Sequence, residues 1–176
     1  MNRLIASLAI ASLMAICVSP IPAARADDKP PACDQDAHFS QQDFALGHWD
    51  VYTGEQKTAT VLLEKVLNGC GIRETWTPVV KSEGHGIGMF TYSRLLGHWG
   101  YFWVADTGQT TAFSGDSQGT GGMLYLTEAP LPDGGKKHRH WTLKLQADGS
   151  IQELSVASTD GQNWAKEYEL IWHKRK

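Results

Sequence analysis

The chain has 176 residues, of which 41% are hydrophobic, and its formal net charge is −3 at pH 7. That length suits one globular domain with a substantial core. The charge balance excludes the basic surface that attracts nucleic acid or anionic lipid. We therefore expect a single-domain protein with no nucleic-acid partner.

Residues 1–26 have the pattern of a secretory signal peptide. A positive charge near the start precedes an uncharged apolar run over 4–18, and Ala24-Arg25-Ala26 fits the small-x-small cleavage site. The run is shorter than a membrane-spanning helix requires. Lipid attachment at Cys17 is the alternative, and the bulky Ile16 before it argues against that. We predict cleavage after residue 26, export to the periplasm or the extracellular space, and no stable membrane insertion.

Two cysteines, Cys33 and Cys70, remain after that cleavage. In an exported protein such a pair is expected to form a disulfide. A zinc site is disfavoured because no histidine stands at finger-like spacing from either cysteine. Closing the loop between them would stabilise the fold by about 4 kcal/mol in the chain-entropy model. The bond would pin a polar N-terminal arm, residues 27–43, to the domain expected over 44–174.

The rest of the chain predicts about ten short strands separated by turns that contain glycine or proline. A short helical turn is expected over 40–47, with Ser40 as its N-cap, and the first strand begins at Gly47. The further strands are expected over 58–66, 70–77, 87–93, 99–105, 110–115, 123–128, 139–146, 151–158 and 163–173.

Closely spaced strands with tight turns indicate an antiparallel up-and-down meander. A meander of this length must protect its edges, and closure into a barrel does so. We therefore predict an all-β fold, a single antiparallel up-and-down β-barrel, with a two-sheet sandwich as the alternative. Barrels of about eight or slightly more strands can hold one small ligand.

The period of two along each strand predicts which side chains face the interior. In the last strand, the predicted inward face carries Trp164, Lys166, Tyr168, Leu170 and Trp172. The six candidate ligand-binding residues are inward on earlier strands: Glu74, Trp76, Tyr101, Trp103, Arg139 and Trp141. Trp49 and Trp172 are expected to be structural.

Tryptophan is used seven times, either as core filling or as the wall of a pocket for an apolar ligand. Glu74 and Arg139 also have two readings. The favoured one is a buried ion pair that fixes strand register. The other is a polar anchor for the head group of a ligand.

Motifs for catalysis are missing from the sequence. There is no G-x-S-x-G elbow, and the glycine-rich segment 115–122 lacks the lysine of a phosphate loop. His138-x-His140 has metal-like spacing, but it lies on the predicted outward face without a third ligand. We predict no catalytic residues, no metal and no cofactor.

The start of the first strand, Gly47-x-Trp49, resembles the lipocalin and calycin signature, in which the tryptophan closes one barrel end against a basic side chain. The segments 44–51, 69–76, 99–104 and 158–164 are similar to an exported bacterial calycin-like family without an established reaction. The resemblance covers about residues 44–174, in keeping with one domain, and implies a calycin-type barrel. The expected cysteine pairing differs from that of lipocalins, so retinoid or lipid specificity is not implied.

We therefore expect an exported protein that binds a small hydrophobic or amphipathic molecule inside a barrel. Two alternatives stay open. The first is a structural envelope protein whose barrel is filled by its own side chains, and the second is a small enzyme with its site at the barrel mouth.

Overall fold

The computed structural model describes residues 30–80 and 84–175. From Pro31 onward the chain forms one compact unit. Its ten strands are β1 (Gly47–Thr53), β2 (Gln56–Val66), β3 (Gly71–Pro78), β4 (Gly86–Ser93), β5 (His98–Ala105), β6 (Thr110–Ser117), β7 (Gly122–Pro130), β8 (Lys136–Leu145), β9 (Ile151–Ser158) and β10 (Ala165–Lys174). The predicted signal peptide and its cleavage site lie outside the described residues.

Each strand pairs with its neighbours in sequence, and β1 also pairs with β10, so the sheet closes into a ten-stranded barrel. All of the pairings are antiparallel, and the closing one runs from Trp49↔Lys174 to Tyr52↔Ile171. Closure gives the backbone groups of β1 and β10 hydrogen-bond partners, which removes the exposed edges of an open meander. The predicted fold is thereby confirmed.

Three short 3-10 helices, Cys33–Gln35, Ala37–Ser40 and Asp43–Ala45, precede β1 and cover one end of the barrel. The short helical structure expected before β1 is present, but the N-cap assignment of Ser40 is wrong. Ser40 ends a turn, and its hydroxyl donates to the Ala37 carbonyl at 2.9 Å. The helix inside the predicted range 40–47 is Asp43–Ala45, and it follows Gln42, whose side chain makes no capping hydrogen bond. Among the residues with described structure, no helix is long and apolar enough to cross a membrane.

The covered end is held by side chains of this N-terminal segment. Gln41 accepts the indole N–H of Trp99 at 2.8 Å. Gln42, fully buried, accepts the hydroxyl of Tyr125. Cys33 and Cys70 form the predicted disulfide, with their Cα atoms 5.0 Å apart. Because Cys70 directly precedes β3, the bond ties the segment to the rim of the barrel.

Trp49 lies under this cover and is 1% exposed. Its indole N–H donates to the Ala45 carbonyl at 2.8 Å, and its ring centroid is 6.4 Å from that of Trp172. The ammonium group of Lys174 stands 5.3 Å from the Trp49 ring centroid. A tryptophan at a barrel end beside a basic side chain is the arrangement that the resemblance to calycins implied.

The last strand departs from simple alternation at a β-bulge. Lys166 pairs with Val156 and Tyr168 pairs with Ser155, so Glu167 is the extra residue. The bulge turns Glu167 inward and leaves Lys166 outside, where it bonds to Glu169 at 3.0 Å.

The inward prediction for Lys166 is therefore wrong, and so is that for Trp164. Trp164 precedes β10 and stacks on the outward ring of His140, with 3.8 Å between ring centroids. Beyond the bulge the predicted parity holds, because Leu170 and Trp172 face the interior opposite Glu153 and Ile151.

Candidate functional site

The barrel interior is filled towards the covered end by aromatic rings. Phe90 stacks on Tyr101 with centroids 4.1 Å apart, and Tyr101 lies 4.9 Å from Trp141. Tyr125 adds a fourth ring, 5.2 Å from Trp141. Towards the opposite end, which we call the mouth, a cavity of about 470 Å³ remains open. That volume lies within the range of about 300–1,000 Å³ of small-molecule sites.

All six candidate residues line this cavity: Glu74 and Trp76 from β3, Tyr101 and Trp103 from β5, and Arg139 and Trp141 from β8. Alternation explains the convergence, because each pair is two positions apart on its strand and so faces the same side of the sheet. The other two named tryptophans, Trp49 and Trp172, lie deeper and are each 1% exposed.

The structure adds lining residues that the sequence prediction left out of the site. They are Gly84, Ala105, Thr107, Gln109, Thr111, Phe113, Glu153, Tyr168 and Leu170. Glu153 was missed because β9 carries apolar side chains on both faces, with Leu154 and Val156 on the outside. The available signal was the spacing of two in Ile151-x-Glu153-x-Ser155, because residues at that spacing share one face of a strand. All three are buried.

Glu74 is a buried carboxyl group at the wall of the cavity and is 4% exposed. Its Oε2 accepts the hydroxyl of Tyr101 at 2.7 Å, whereas its Oε1 has no hydrogen-bond partner in 30–80 and 84–175. Burial raises the pKa of Glu74 to about 8, the Tyr101 hydrogen bond opposes that rise, and the charge of Glu153 adds to it.

Glu153 is the second buried carboxyl group and is 5% exposed. Its Oε1 accepts the indole N–H of Trp141 and its Oε2 that of Trp172, both at 2.9 Å. Burial raises the pKa of Glu153 to about 7 despite these two donors. No ion pair within the described ranges involves Glu74 or Glu153, so the interior holds two acids that can ionise near neutral pH.

Arg139 does not pair with Glu74, and the predicted ion pair is wrong. Its Nε donates to Oε2 of Glu167 at 2.5 Å and its Nη2 to Oε1 at 3.2 Å, a two-point contact. Lys137 and the Ser155 hydroxyl bind the same carboxylate. Arg139 pairs with Glu167 because the bulge in β10 turns Glu167 into the barrel, where Arg139 can reach it. The hydrogen bond from Arg139 is the main cause that lowers the pKa of Glu167 to about 2.

Two glycines on β4 shape the cavity. A Cβ at Gly86 would lie 1.9 Å from the Trp103 ring, and one at Gly88 would lie 2.4 Å from Tyr101 and 2.7 Å from Oε2 of Glu74. The rings of Trp103 and Tyr101 therefore occupy the space that side chains at Gly86 and Gly88 would fill. The sequence signal was the pair Gly86-x-Gly88 inside a strand, since strand glycines mark close approach.

Histidines and other metal ligands do not cluster in the described part of the chain, where no group of three or more His, Cys, Asp or Glu could hold a metal ion. His138, from the predicted pair, contacts Glu128 at 2.9 Å, and His140 stacks on Trp164. Both lie on the outer surface, away from the cavity.

The closed antiparallel barrel with an internal cavity is consistent with a calycin-like fold. No family model and no curated protein matches the sequence. Function is therefore inferred from the geometry and chemistry of the cavity.

Proposed function

We propose that this chain is an exported binding protein that holds a small apolar or amphipathic molecule in its barrel. The observation that carries the proposal is the open cavity of about 470 Å³, walled by aromatic rings with a few polar groups among them. That combination is typical of small-molecule sites, in which apolar area supplies affinity and the polar groups set orientation. The proposed chain order is a signal peptide over 1–26, an arm over 27–43 and the barrel over 44–174.

The cavity is large enough for useful affinity. Burial of about 500 Å² of ligand and wall surface contributes about 12 kcal/mol at about 25 cal/mol per Å². An association cost of about 4 kcal/mol leaves about 8 kcal/mol, which corresponds to a dissociation constant of about 1 μM. The disulfide between Cys33 and Cys70 supports the exported location, because such bonds persist in oxidising compartments.

One observation favours a second candidate, a small enzyme at the mouth. Glu74 and Glu153 have raised pKa values and line a cavity, which is where general acids and bases are often found. A role as a filled structural barrel has less support, because the half of the barrel next to the mouth is open.

Native mass spectrometry of protein purified from its own cells tests the proposal directly. Extra mass that is retained on the folded chain and lost on unfolding is the expected result, and the mass of the unfolded chain should place the N-terminus at Asp27. A chain that begins at Cys17 with an attached lipid would contradict the proposed processing.

A pair of variants on β6 locates the binding site. Thr111 faces the cavity opposite Trp103, whereas its exposed neighbour Thr110 pairs with the outward Val104. Thr111→Trp should fill the cavity and abolish calorimetric binding of fatty acids, flavonoids or porphyrins, while Thr110→Trp should bind as the wild type does. Equal binding by both variants would place the ligand elsewhere, and no binding by the wild-type protein would refute a ligand-binding barrel.

A further inference from the structure

Among the charged groups that line the cavity, the acids are free to contact a ligand and the one base is not. Three charged side chains line it, Glu74, Glu153 and Arg139. Arg139 is already engaged, because two of its nitrogens contact the Glu167 carboxylate. A bound anion would have to compete with that carboxylate, which also holds Lys137 and Ser155. The positive charge of Arg139 is therefore already paired with the carboxylate of Glu167.

The two acids have no such counter-charge among the residues that the structure describes. In the described ranges neither Glu74 nor Glu153 takes part in an ion pair, although each is almost completely buried. A buried charge without a partner is costly, so burial opposes the ionisation of both groups, and the charge of Glu153 adds to that cost at Glu74. A ligand that brings a positive charge would supply the counter-charge that the described residues do not give these two acids.

The free acceptor position is on Glu74. Both oxygens of Glu153 accept indole N–H groups, and Oε2 of Glu74 accepts the Tyr101 hydroxyl. Oε1 of Glu74 remains without a partner among the residues that the structure describes. A group that donates a hydrogen bond or carries positive charge can therefore reach Glu74 without breaking an existing bond.

The rings around this position suit a cation as well. Trp76, Tyr101, Trp103 and Trp141 line the same cavity. The faces of such rings attract ammonium groups through their quadrupoles, most strongly where water is excluded. Carboxyl groups surrounded by tryptophan and tyrosine rings therefore form a wall that favours a positive head group and still accepts an apolar tail.

We propose that the cavity selects organic cations, namely amines or quaternary ammonium compounds with an apolar tail, and that the cationic head contacts Glu74 with Glu153 nearby. This inference rests on the proposed ligand-binding function and names the class of ligand. Arrival of the cation favours the ionised form of Glu74, and the carboxyl proton then leaves to solvent. The apolar tail occupies the part of the cavity nearer the mouth, beside Trp76 and Trp103, each two residues further towards the mouth than Glu74 and Tyr101.

Three probes with one skeleton test the head-group preference: 4-phenylbutyltrimethylammonium, 4-phenylbutan-1-ol and 4-phenylbutanoate. Their dissociation constants are measured by isothermal titration calorimetry at pH 8 and low salt, where charge contributions are least screened. We expect the ammonium compound to bind about tenfold more tightly than the alcohol, and the carboxylate to bind most weakly.

Two variants then assign the preference to Glu74. Glu74→Gln keeps the shape and an acceptor for Tyr101 but removes the charge, so it should cost the ammonium probe most of its tenfold advantage and change alcohol binding by less than about twofold. Glu64→Gln is the matched control, because it removes one carboxylate from the outer wall, where Glu64 contacts Arg73 at 2.8 Å. That variant should keep the wild-type ranking.

The wild-type ranking decides the inference even if Glu74→Gln does not fold. An alcohol or a carboxylate that binds as tightly as the ammonium probe would overturn the inference and leave the ligand-binding proposal standing. A preference for ammonium that survives in folded Glu74→Gln would overturn the role of Glu74. Failure of all three probes, together with the fatty acids, flavonoids and porphyrins, would refute the binding function itself.

Discussion

Replacement of Glu74 by glutamine should stabilise the barrel at alkaline pH and change its stability little at pH 4. Glu74 is 4% exposed, and burial raises its pKa from the usual 4.5 to about 8. Between these two values the folded protein keeps a proton that the unfolded chain releases. The free energy of unfolding therefore falls as the pH rises from about 4.5 to about 8, and glutamine removes that fall.

The size of the effect follows from the shift. A rise from 4.5 to about 8 is about 3.5 pKa units, and each unit corresponds to about 1.4 kcal/mol. The ionised carboxylate thus costs the wild-type protein up to about 5 kcal/mol above pH 8. For a domain of this length, each kcal/mol moves the melting temperature by about 2–4 °C, so the variant should melt about 10–20 °C higher there.

Urea unfolding of the wild-type protein and of Glu74→Gln at half-unit steps from pH 4 to pH 9 measures the difference. Glu64→Gln, which loses an outer-wall carboxylate, is the control and should follow the wild-type curve. In Glu74→Gln the free energy of unfolding should still fall as the pH rises, but by less, because the pKa of Glu153 is raised to about 7. Parallel curves for wild type and Glu74→Gln across this range would refute the reasoning, because they would mean that the carboxyl group is solvated in the folded protein.

Three further outcomes are expected. Trp49→Ala should lower the free energy of unfolding by about 3–5 kcal/mol, because it empties a site that is 1% exposed; an unchanged urea midpoint would contradict its place in the core. Paired Cys33→Ser and Cys70→Ser replacements should cost about 4 kcal/mol, and the denatured, unreduced wild-type protein should show no free thiol. Arg139→Leu should raise the pKa of Glu167 from about 2, measurable by carboxyl-carbon NMR, and cost about 1–3 kcal/mol at pH 7; an unmoved Glu167 titration would show that Lys137 suffices alone.

Local pattern was enough to predict the strands and most of their faces. Glu74-x-Trp76, Tyr101-x-Trp103 and Arg139-x-Trp141 are spaced by two, and a strand places residues at that spacing on one side. Once a long meander had to protect its edges, a closed barrel was the favoured solution, and the inward pairs then had to share one interior. The disulfide was predicted because two cysteines remain once the expected signal peptide is removed.

The partners of the charged residues could not be read in the same way. Glu74 and Arg139 share the interior, yet each is bonded to a different residue, Tyr101 and Glu167. A single extra residue at the bulge in β10 reverses the alternation before it, and no local signal in the sequence marked that position.

The sequence by itself predicted the all-β class, favoured the barrel over a sandwich and placed the aromatic pairs inward, because alternation along a strand is a local property of the backbone. Only the tertiary structure decided that Glu74 and Glu153 line one cavity without an ion-pair partner in 30–80 and 84–175, that Gly86 and Gly88 make room for the rings, and that a cavity of about 470 Å³ stays open at the mouth. The physical reason is that these features depend on register and packing between strands far apart in the chain, which residue spacing within one strand does not encode.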